Sequence, residues 1–424
     1  MIRVKSEFVV SGIVVFLRKV FFMKHFGQMK MVLLLVAAAF SCIAYAGDSV
    51  YLFNAFPGLQ AHLPHISICD LPTPITRLEQ FSDYVGCKNV YMKADSLTGK
   101  RVSVCDGSFH LYGGNKPRKL EFLFADAQAQ NATTIVTYGC AGSNHALATA
   151  VYARELGFNN CVLMLKNQPN SPVVRHNLLL DWYCGAELRF FPNNQVRSTA
   201  AAELMNNVSN CYLIPTGGSN EIGAIGFVNA AFELKDQINQ GLLQEPDVIY
   251  IPVGSCGTTA GLLLGLQAAG LKSKLIAVGV EPEDVENEFH DGTKALFIKC
   301  NALLNSLDSS FSIFEFPEDQ LTINKKFEGT QYGLFTPEAV AAIKLINRLE
   351  GIRVEGTYSA KPIAAIMDDL ASGALTDETI LYWNTFCGID YSDLTRQVNY
   401  QEMPVEFQRY FETDIQPLSV GMYE

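Results

Sequence analysis

The sequence predicts an α/β protein of two three-layer αβα domains on mostly parallel sheets. Three observations predict it. Short apolar runs alternate with helical patterns from about residue 130 onward. The runs are apolar throughout, as strands covered on both faces are, rather than alternating polar and apolar. Glycine-rich turns stand where runs enter helices, the place where ligands lie in parallel sheets. At 424 residues, 49% hydrophobic and 18% charged, the chain is long enough to bury two cores.

The alternation reads in order. "TTIVTYG" is a buried strand, and "SNHALATAVYARELGF" a helix that Gly157 stops. "CVLMLKN" is a strand, "SPVVRHNLLLDWYCG" a helix, "AELRFFP" a strand and "STAAAELMNNV" a helix. "CYLIPTGG" leads into a long helix through "GAIGFVNAAFELKDQINQG". "DVIYIPVG", "GTTAGLLLGLQAAG" and "SKLIAVGVEP" continue the pattern as strand, helix and strand. Residues 87–112 have strand and loop character, and the tail after about residue 395 is polar and aromatic with no clear period. No internal repeat or low-complexity tract occurs.

Residues 1–46 read as a targeting segment. Lys30, an apolar stretch from Val32 and the triplet Ala44-Tyr45-Ala46 make a secretory signal pattern with cleavage after Ala46, so export is expected. The upstream run "FVVSGIVVFLRKVFF" is broken by Arg18 and Lys19 and is short for a bilayer crossing. It fits a start at Met23, Met29 or Met31, or an uncleaved membrane anchor. Net charge is −11; the segment holds six of the 32 Lys/Arg and one of the 43 Asp/Glu, so the remainder is −16. No basic cluster follows the first 30 residues, which excludes nucleic acid as an expected partner. Ten of the 11 cysteines follow Ala46 with no C-x-x-C pair and no metal-like Cys/His spacing, so no metal is expected. Most read as small buried hydrophobes, and export would permit one or two disulfides.

Three loops and one lysine carry the chemistry. "VGSCGTTAG" places Gly254, Ser255, Cys256, Gly257, Thr258 and Thr259 between a strand and an apolar helix. Curled backbone N–H groups, hydroxyls and the helix dipole make a phosphate cradle there. It lacks both the G-K-[ST] ending of a triphosphate loop and G-x-G-x-x-G; a tightly packed turn is the alternative. "GCAGSNHA" puts Ser143 and Asn144 where helix caps belong, either as caps alone or with the helix start holding a substrate carboxylate. His145 by itself reads as a packed or surface residue. "PTGGSNEIGAIG" is a structural turn or a part of the cofactor site. In "LYGGNKPRKLEF", Arg118 and Lys119 read as a solvated helix start, whereas Lys116 lies on the rim of a Gly-Gly-Asn turn. A lysine beside a phosphate cradle, without a nucleotide motif, points to pyridoxal 5′-phosphate, which needs an amine and an anion site.

These residues resemble the 1-aminocyclopropane-1-carboxylate deaminase and D-cysteine desulfhydrase family. That family consists of fold-type-II pyridoxal phosphate enzymes akin to the tryptophan synthase β subunit. The resemblance runs in order from "PTPITRLEQFSDYVGCKNVYMKAD" to "YWNTFCG", about three quarters of the chain. It implies Lys116 as the Schiff-base lysine with Asn115 beside the ring, and the 254–259 turn as the phosphate cup. Ser143, Asn144 and His145 are implied as the substrate-carboxylate loop, with His145 in place of the family's usual Gln, and Ser143 and the later Tyr332 and Tyr358 as catalytic. It also implies a homodimer, a large domain of residues 47–118 and 225–424, and a small domain of 119–224. Deaminases of the family carry a glutamate and a leucine where this chain has Ser359 and Thr385. Hydroxyls there are similar to the desulfhydrase side, and one of the two is expected at the pyridine nitrogen. A hydroxyl leaves the ring a weaker electron sink than a carboxylate does, which suffices for β-elimination with a good leaving group. The implied activity is β-elimination of D-cysteine to pyruvate, ammonia and hydrogen sulfide. Cyclopropane-amino-acid deamination, D-serine dehydration and β-replacement are the alternatives within the class, and a catalytically silent exported binding protein the alternative outside it. The chain departs from the family in about ten extra residues before "GGNK", in Phe386-Cys387 where Gly-Gly is usual, and in its signal pattern.

Overall fold

The computed structural model describes residues 50–104, 107–282 and 286–423. The expected targeting segment 1–46 lies outside them. The larger sheet has six strands in the order β1 (Ile75–Arg77), β2 (Val90–Lys93), β12 (Ile380–Trp383), β9 (Val248–Val253), β10 (Lys274–Gly279), β11 (Leu321–Asn324). All neighbours are parallel except β1 and β2. The smaller sheet is parallel throughout, in the order β7 (Glu187–Phe190), β6 (Asn160–Lys166), β5 (Thr134–Cys140), β8 (Cys211–Ile214). A hairpin, β3 (Arg101–Val104) and β4 (Gly107–His110), occupies the family-atypical insertion.

The helices are α1 (Tyr51–Ala55), α2 (Glu79–Val85), α3 (Lys116–Ala129), α4 (Asn144–Glu155), α5 (Pro172–Tyr183), α6 (Asn194–Asn207) and α7 (Glu221–Asn239). They continue as α8 (Gly257–Ala268), α9 (Glu288–Leu307), α10 (Pro337–Glu350), α11 (Ala360–Ala371), α12 (Ser392–Thr395) and α13 (Val405–Glu412). Ser143, Ser171, Asn193, Asn220 and Thr336 cap α4, α5, α6, α7 and α10, each side chain accepting the N–H three residues on. No described helix is long and apolar enough to cross a membrane. No described cysteines form a disulfide.

Every strand of the larger sheet comes from residues 75–93 or 248–383, and every strand of the smaller from 134–214. Part of the tail, Tyr391 to Tyr410, departs from the expected grouping of 225–424 with the large domain, whereas Met422 and Tyr423 pack into the core of the larger sheet. Tyr391, Met403, Phe407 and Tyr410 pack into the core of the smaller sheet, with Leu147, Leu178 and Leu188. A short amphipathic helix, α13, buries Phe407 and Tyr410 there and supplies the periodicity that the polar, aromatic tail hides.

The expected solvated start of α3 is corrected outright: Arg118 and Lys119 are each only 1% exposed. The helix packs on α7 and α4, and Gly226 lets α7 come so close that an added Cβ would lie 2.1 Å from the Arg118 carbonyl. Charges buried this way must be paired. Arg118 forks onto Asp95 (Nη2–Oδ1 2.7 Å, Nε–Oδ2 3.0 Å) and Glu233 (Nη1–Oε2 2.8 Å). Lys93 donates to Glu233, to the Thr73 carbonyl at 2.7 Å and to Gln237 Oε1 at 2.8 Å. Trp383 Nε1 donates to Asp95 Oδ2 at 2.7 Å. Two cations and two carboxylates thus tie β2, α3, α7 and β12 together.

Candidate active site

A cavity of about 890 Å³ lies at the carboxyl ends of both sheets, between them. Gly139, Cys140 and Lys166 reach it from the smaller sheet, and Val253, Glu281 and Thr385 from just after or at the ends of larger-sheet strands. Carboxyl ends of parallel strands carry the loops where ligands bind.

Lys116 is the first residue of α3 and lines this cavity, with Asn115 before it. Burial, with no carboxylate near enough to oppose it, lowers its pKa to about 8. Roughly a tenth of the amine is then neutral and nucleophilic at pH 7, far more than at the ordinary value of 10.5. The Asn115 side chain donates to Thr258 Oγ1 at 3.1 Å, linking the lysine turn to the glycine-rich loop 254–259.

That loop fits a phosphate. Cys256, with φ of 61°, turns the chain into α8, and the loop's residues 254–256, 258 and 259 line the cavity. The Thr259 hydroxyl is buried without a protein partner. Gly217 approaches the loop so closely that an added Cβ would lie 2.1 Å from Ser255 Oγ, and Ser255 Oγ bonds Ser219 Oγ at 2.8 Å. Lys119 Nζ donates to the Gly217 carbonyl at 3.0 Å and to Ser219 Oγ at 3.1 Å, without an ion pair among the described residues; burial first, then Lys116, pushes its pKa well down. A partnerless hydroxyl and helix N–H groups converge on one cup, with the Lys119 amine behind it on Gly217 and Ser219, and a phosphate monoester there would favour the amine's charged form. We expect Thr259→Val to weaken cofactor affinity roughly tenfold, a hydrogen bond to a charged group, while leaving cofactor-free thermal stability equal or higher. Absorbance titration and a melting curve of the stripped protein measure the two effects.

The loop at 139–146 also meets the cavity. Ser143 Oγ accepts from Ala146 N at 3.2 Å, which leaves its own proton to give. Asn144 Oδ1 accepts from Tyr112 OH and Asn177 Nδ2, both at 3.0 Å, so the side chain presents its amide nitrogen. The N–H groups of Asn144 and His145 open α4 and have no acceptor within the helix. His145 is buried rather than on the surface, with Nε2 2.9 Å from Thr137 Oγ1. Thr137 donates to the Ile214 carbonyl, so Nε2 carries the hydrogen. Burial first, then Lys116 and Lys119, lower its pKa and keep the ring neutral.

Tyr332 and Tyr358 line the same cavity and bond to each other at 2.8 Å through their hydroxyls. Burial raises both pKa values, so both stay protonated. Of the two hydroxyls expected at the pyridine nitrogen, Thr385 lies on the wall and its hydroxyl has no partner among the described residues. Ser359 is not there: it is fully buried, and its Oγ accepts from Glu355 N at 2.8 Å within its own turn. The reason is that Glu355 draws that turn around itself, accepting from the N–H groups of Thr357, Tyr358 and Ser359 at 2.7, 2.8 and 3.0 Å.

Sequence reading missed Glu355, Cys140, Lys166, Arg197 and the tail residues Arg409, Tyr410 and Thr413, all of which line the cavity. It also missed Lys119, although a lysine three residues after Lys116 shares its helix face, a signal that was available.

Fold and site together define a pyridoxal-phosphate-dependent enzyme of fold type II. The chain belongs to the family described as "Pyridoxal-phosphate dependent enzyme", whose profile matches residues 66–385. Within it, the chain is similar to D-cysteine desulfhydrase of Serratia proteamaculans, with 32% identity over 77% of this chain and 94% of that protein. It is 34% identical to D-cysteine desulfhydrase of Yersinia enterocolitica over the same shares. A solved structure described as an ACC deaminase homologue superposes with a TM-score of 0.65 at 28% identity, covering 81% of this chain and 99% of that one. A tomato threonine deaminase (Solanum lycopersicum, isoform 2), at 18% identity and a TM-score of 0.54, shares the fold.

Proposed function

We propose that this enzyme eliminates the β-substituent of a small D-amino acid, D-cysteine foremost, to give pyruvate, ammonia and hydrosulfide. The observation that carries this reading is the cavity wall at Thr385. Its hydroxyl has no partner among the described residues, while the carboxylate of Glu355, on the same cavity, is taken up by three backbone N–H groups. The extended similarity to two D-cysteine desulfhydrases supports the choice of substrate.

Bound pyridoxal phosphate supplies an electron sink for negative charge at the substrate Cα. The chain's residues do the rest. Helix α8 and its loop hold the phosphate, with Thr259 and Lys119 beside it. The N–H groups opening α4, with the Ser143 hydroxyl and the Asn144 amide, hold the substrate carboxylate. The Lys116 amine, desolvated to a pKa of about 8, takes the Cα proton at Nζ. Tyr358 donates to Tyr332, so the Tyr332 hydroxyl proton is the one left to meet the departing sulfur.

The test is a panel of D-cysteine, D-serine and 1-aminocyclopropane-1-carboxylate, reading sulfide, ammonia and oxoacid together. Equal amounts of sulfide and pyruvate from D-cysteine are expected. Turnover of the cyclopropane acid to 2-oxobutanoate, with none of D-cysteine, would move the protein to the deaminase reading that the ACC deaminase homologue favours.

We further propose export and a homodimer. The signal pattern before Gly47 supports the first, and the family resemblance the second. N-terminal sequencing of exported protein beginning at Gly47, and light scattering at twice the chain mass, are the expected results.

A further inference from the structure

We propose that the outer part of the cavity is a second anion site, so that the preferred substrate is a D-amino acid whose β-substituent ends in an acid. This rests on the β-elimination reading and names its substrate class. Cys140 and Lys166 are register partners at the last positions of β5 and β6, and both side chains line the cavity. Arg197 of α6 reaches over the same edge: Nη1 donates to the Gly139 carbonyl at 3.1 Å, Nη2 to Asn194 Oδ1 at 3.0 Å, and the guanidinium lies 4.6 Å from the Tyr138 ring centre. It is 7% exposed, yet its Nε has no partner. Neither Arg197 nor Lys166 is ion-paired with any carboxylate among the described residues.

A nearly buried cation without a counter-charge is costly unless a ligand supplies one. The neighbouring thiol does not, because burial holds Cys140 up at about 11 in spite of both cations. Glu281 and Glu288 line the cavity from the larger-sheet side, and the Glu281 charge acts on Cys140 against those of Lys166 and Arg197. At about 890 Å³ the cavity is toward the upper end of the ~300–1,000 Å³ that suits drug-sized ligands, leaving room beyond a cofactor and a three-carbon amino acid. An acid carried two or three atoms past Cβ would occupy that remaining room. In the reaction the Cα proton passes to Lys116. The Cβ–S bond breaks with its electron pair leaving on sulfur, and the acid-bearing thiol departs. Water then converts the remaining enamine to pyruvate and ammonia.

The experiment compares S-carboxymethyl-D-cysteine with its neutral amide on cofactor-loaded enzyme, through kcat/KM for pyruvate release. In parallel, calorimetry compares D-glutamate with D-glutamine, neither of which has a leaving group at Cβ. In both comparisons the acid is expected to be favoured roughly tenfold or more, the value of hydrogen bonds to a charged group. The ratio should fall toward one in Arg197→Gln and in Lys166→Met. Lys166→Met guards against a folding defect at the more buried arginine, and the wild-type ratio needs no variant. Acid and amide handled equally by wild type overturns the proposal. So does an unchanged ratio in both variants with weakened cofactor binding, since the cations would then serve the cofactor. If nothing on the panel is eliminated while D-glutamate still binds over D-glutamine, the β-elimination reading fails and the anion site stands.

Discussion

Lys116→Ala is expected to abolish the visible absorbance that pyridoxal phosphate gains on forming a Schiff base, and to lower kcat by ~10³-fold or more, the range for removing a positioned acid–base group. The protein should fold as well as before, or better. Lys116 Nζ makes no hydrogen bond with the described residues, and burial already lowers its pKa to about 8, so removing it relieves a desolvation cost. Matching melting curves with a lost band identify a chemical role, whereas a variant that keeps both band and turnover sinks the assignment. The pH dependence has a definite sign. Only the neutral amine attacks the cofactor aldehyde, so the rate of cofactor loading by stripped enzyme should rise through pH 8 and level off above it. A lysine at its ordinary pKa of 10.5 would still be climbing there.

Arg118→Met is expected to be the most destabilising single change outside the cavity, at about 3–5 kcal/mol, because it leaves Asp95 and Glu233 buried with Lys93 as their remaining cation. Urea unfolding measures it, and a loss under about 1 kcal/mol would show that the network is not strongly coupled. The same network shapes acid stability. Burial alone would raise the pKa of Glu233, but Arg118 and Lys93 outweigh it and hold the group at about 2, below its ordinary 4.5. A carboxyl depressed on folding contributes its stability in full above the ordinary value and loses it as pH falls toward the folded one. Wild-type stability should therefore fall between pH 4.5 and 2. In Arg118→Met that slope flattens, because Lys93 alone is left to oppose burial and the depression shrinks. Arg118 is two residues from Lys116 on one helix, so the variant should also bind cofactor more weakly.

The alternation of apolar runs and helices was legible because it is a local property. Strands β5, β6, β7, β8, β9 and β10 fall inside the apolar runs to within one residue, and helices α4, α5, α7 and α8 fall where glycine, serine and asparagine mark their ends. Lys116, Ser143, Asn144 and most of the 254–259 loop were picked out from short motifs in the same way and line one cavity, although caps and tight turns account for those motifs locally as well. His145 was legible as a position but not as a neutral, buried ring, since that depends on Thr137 and Ile214 from two strands.

What the sequence by itself determined is the period of burial along the chain and the chemistry of its turns, because strand and helix patterns and glycine-rich loops act over a few residues. What only the tertiary structure decided is which distant groups share one small volume. It turned the basic pair after Lys116 inward, where Asp95 and Glu233 meet Arg118. It drew Ser359 into the turn around Glu355 and left Thr385 on the wall. It packed Tyr391 to Tyr410 into the core of the smaller sheet and brought Tyr410 and Thr413 to the cavity wall. Burial and charge pairing act through space rather than along the chain, and so the electrostatics of this site were settled only once the two sheets closed on it.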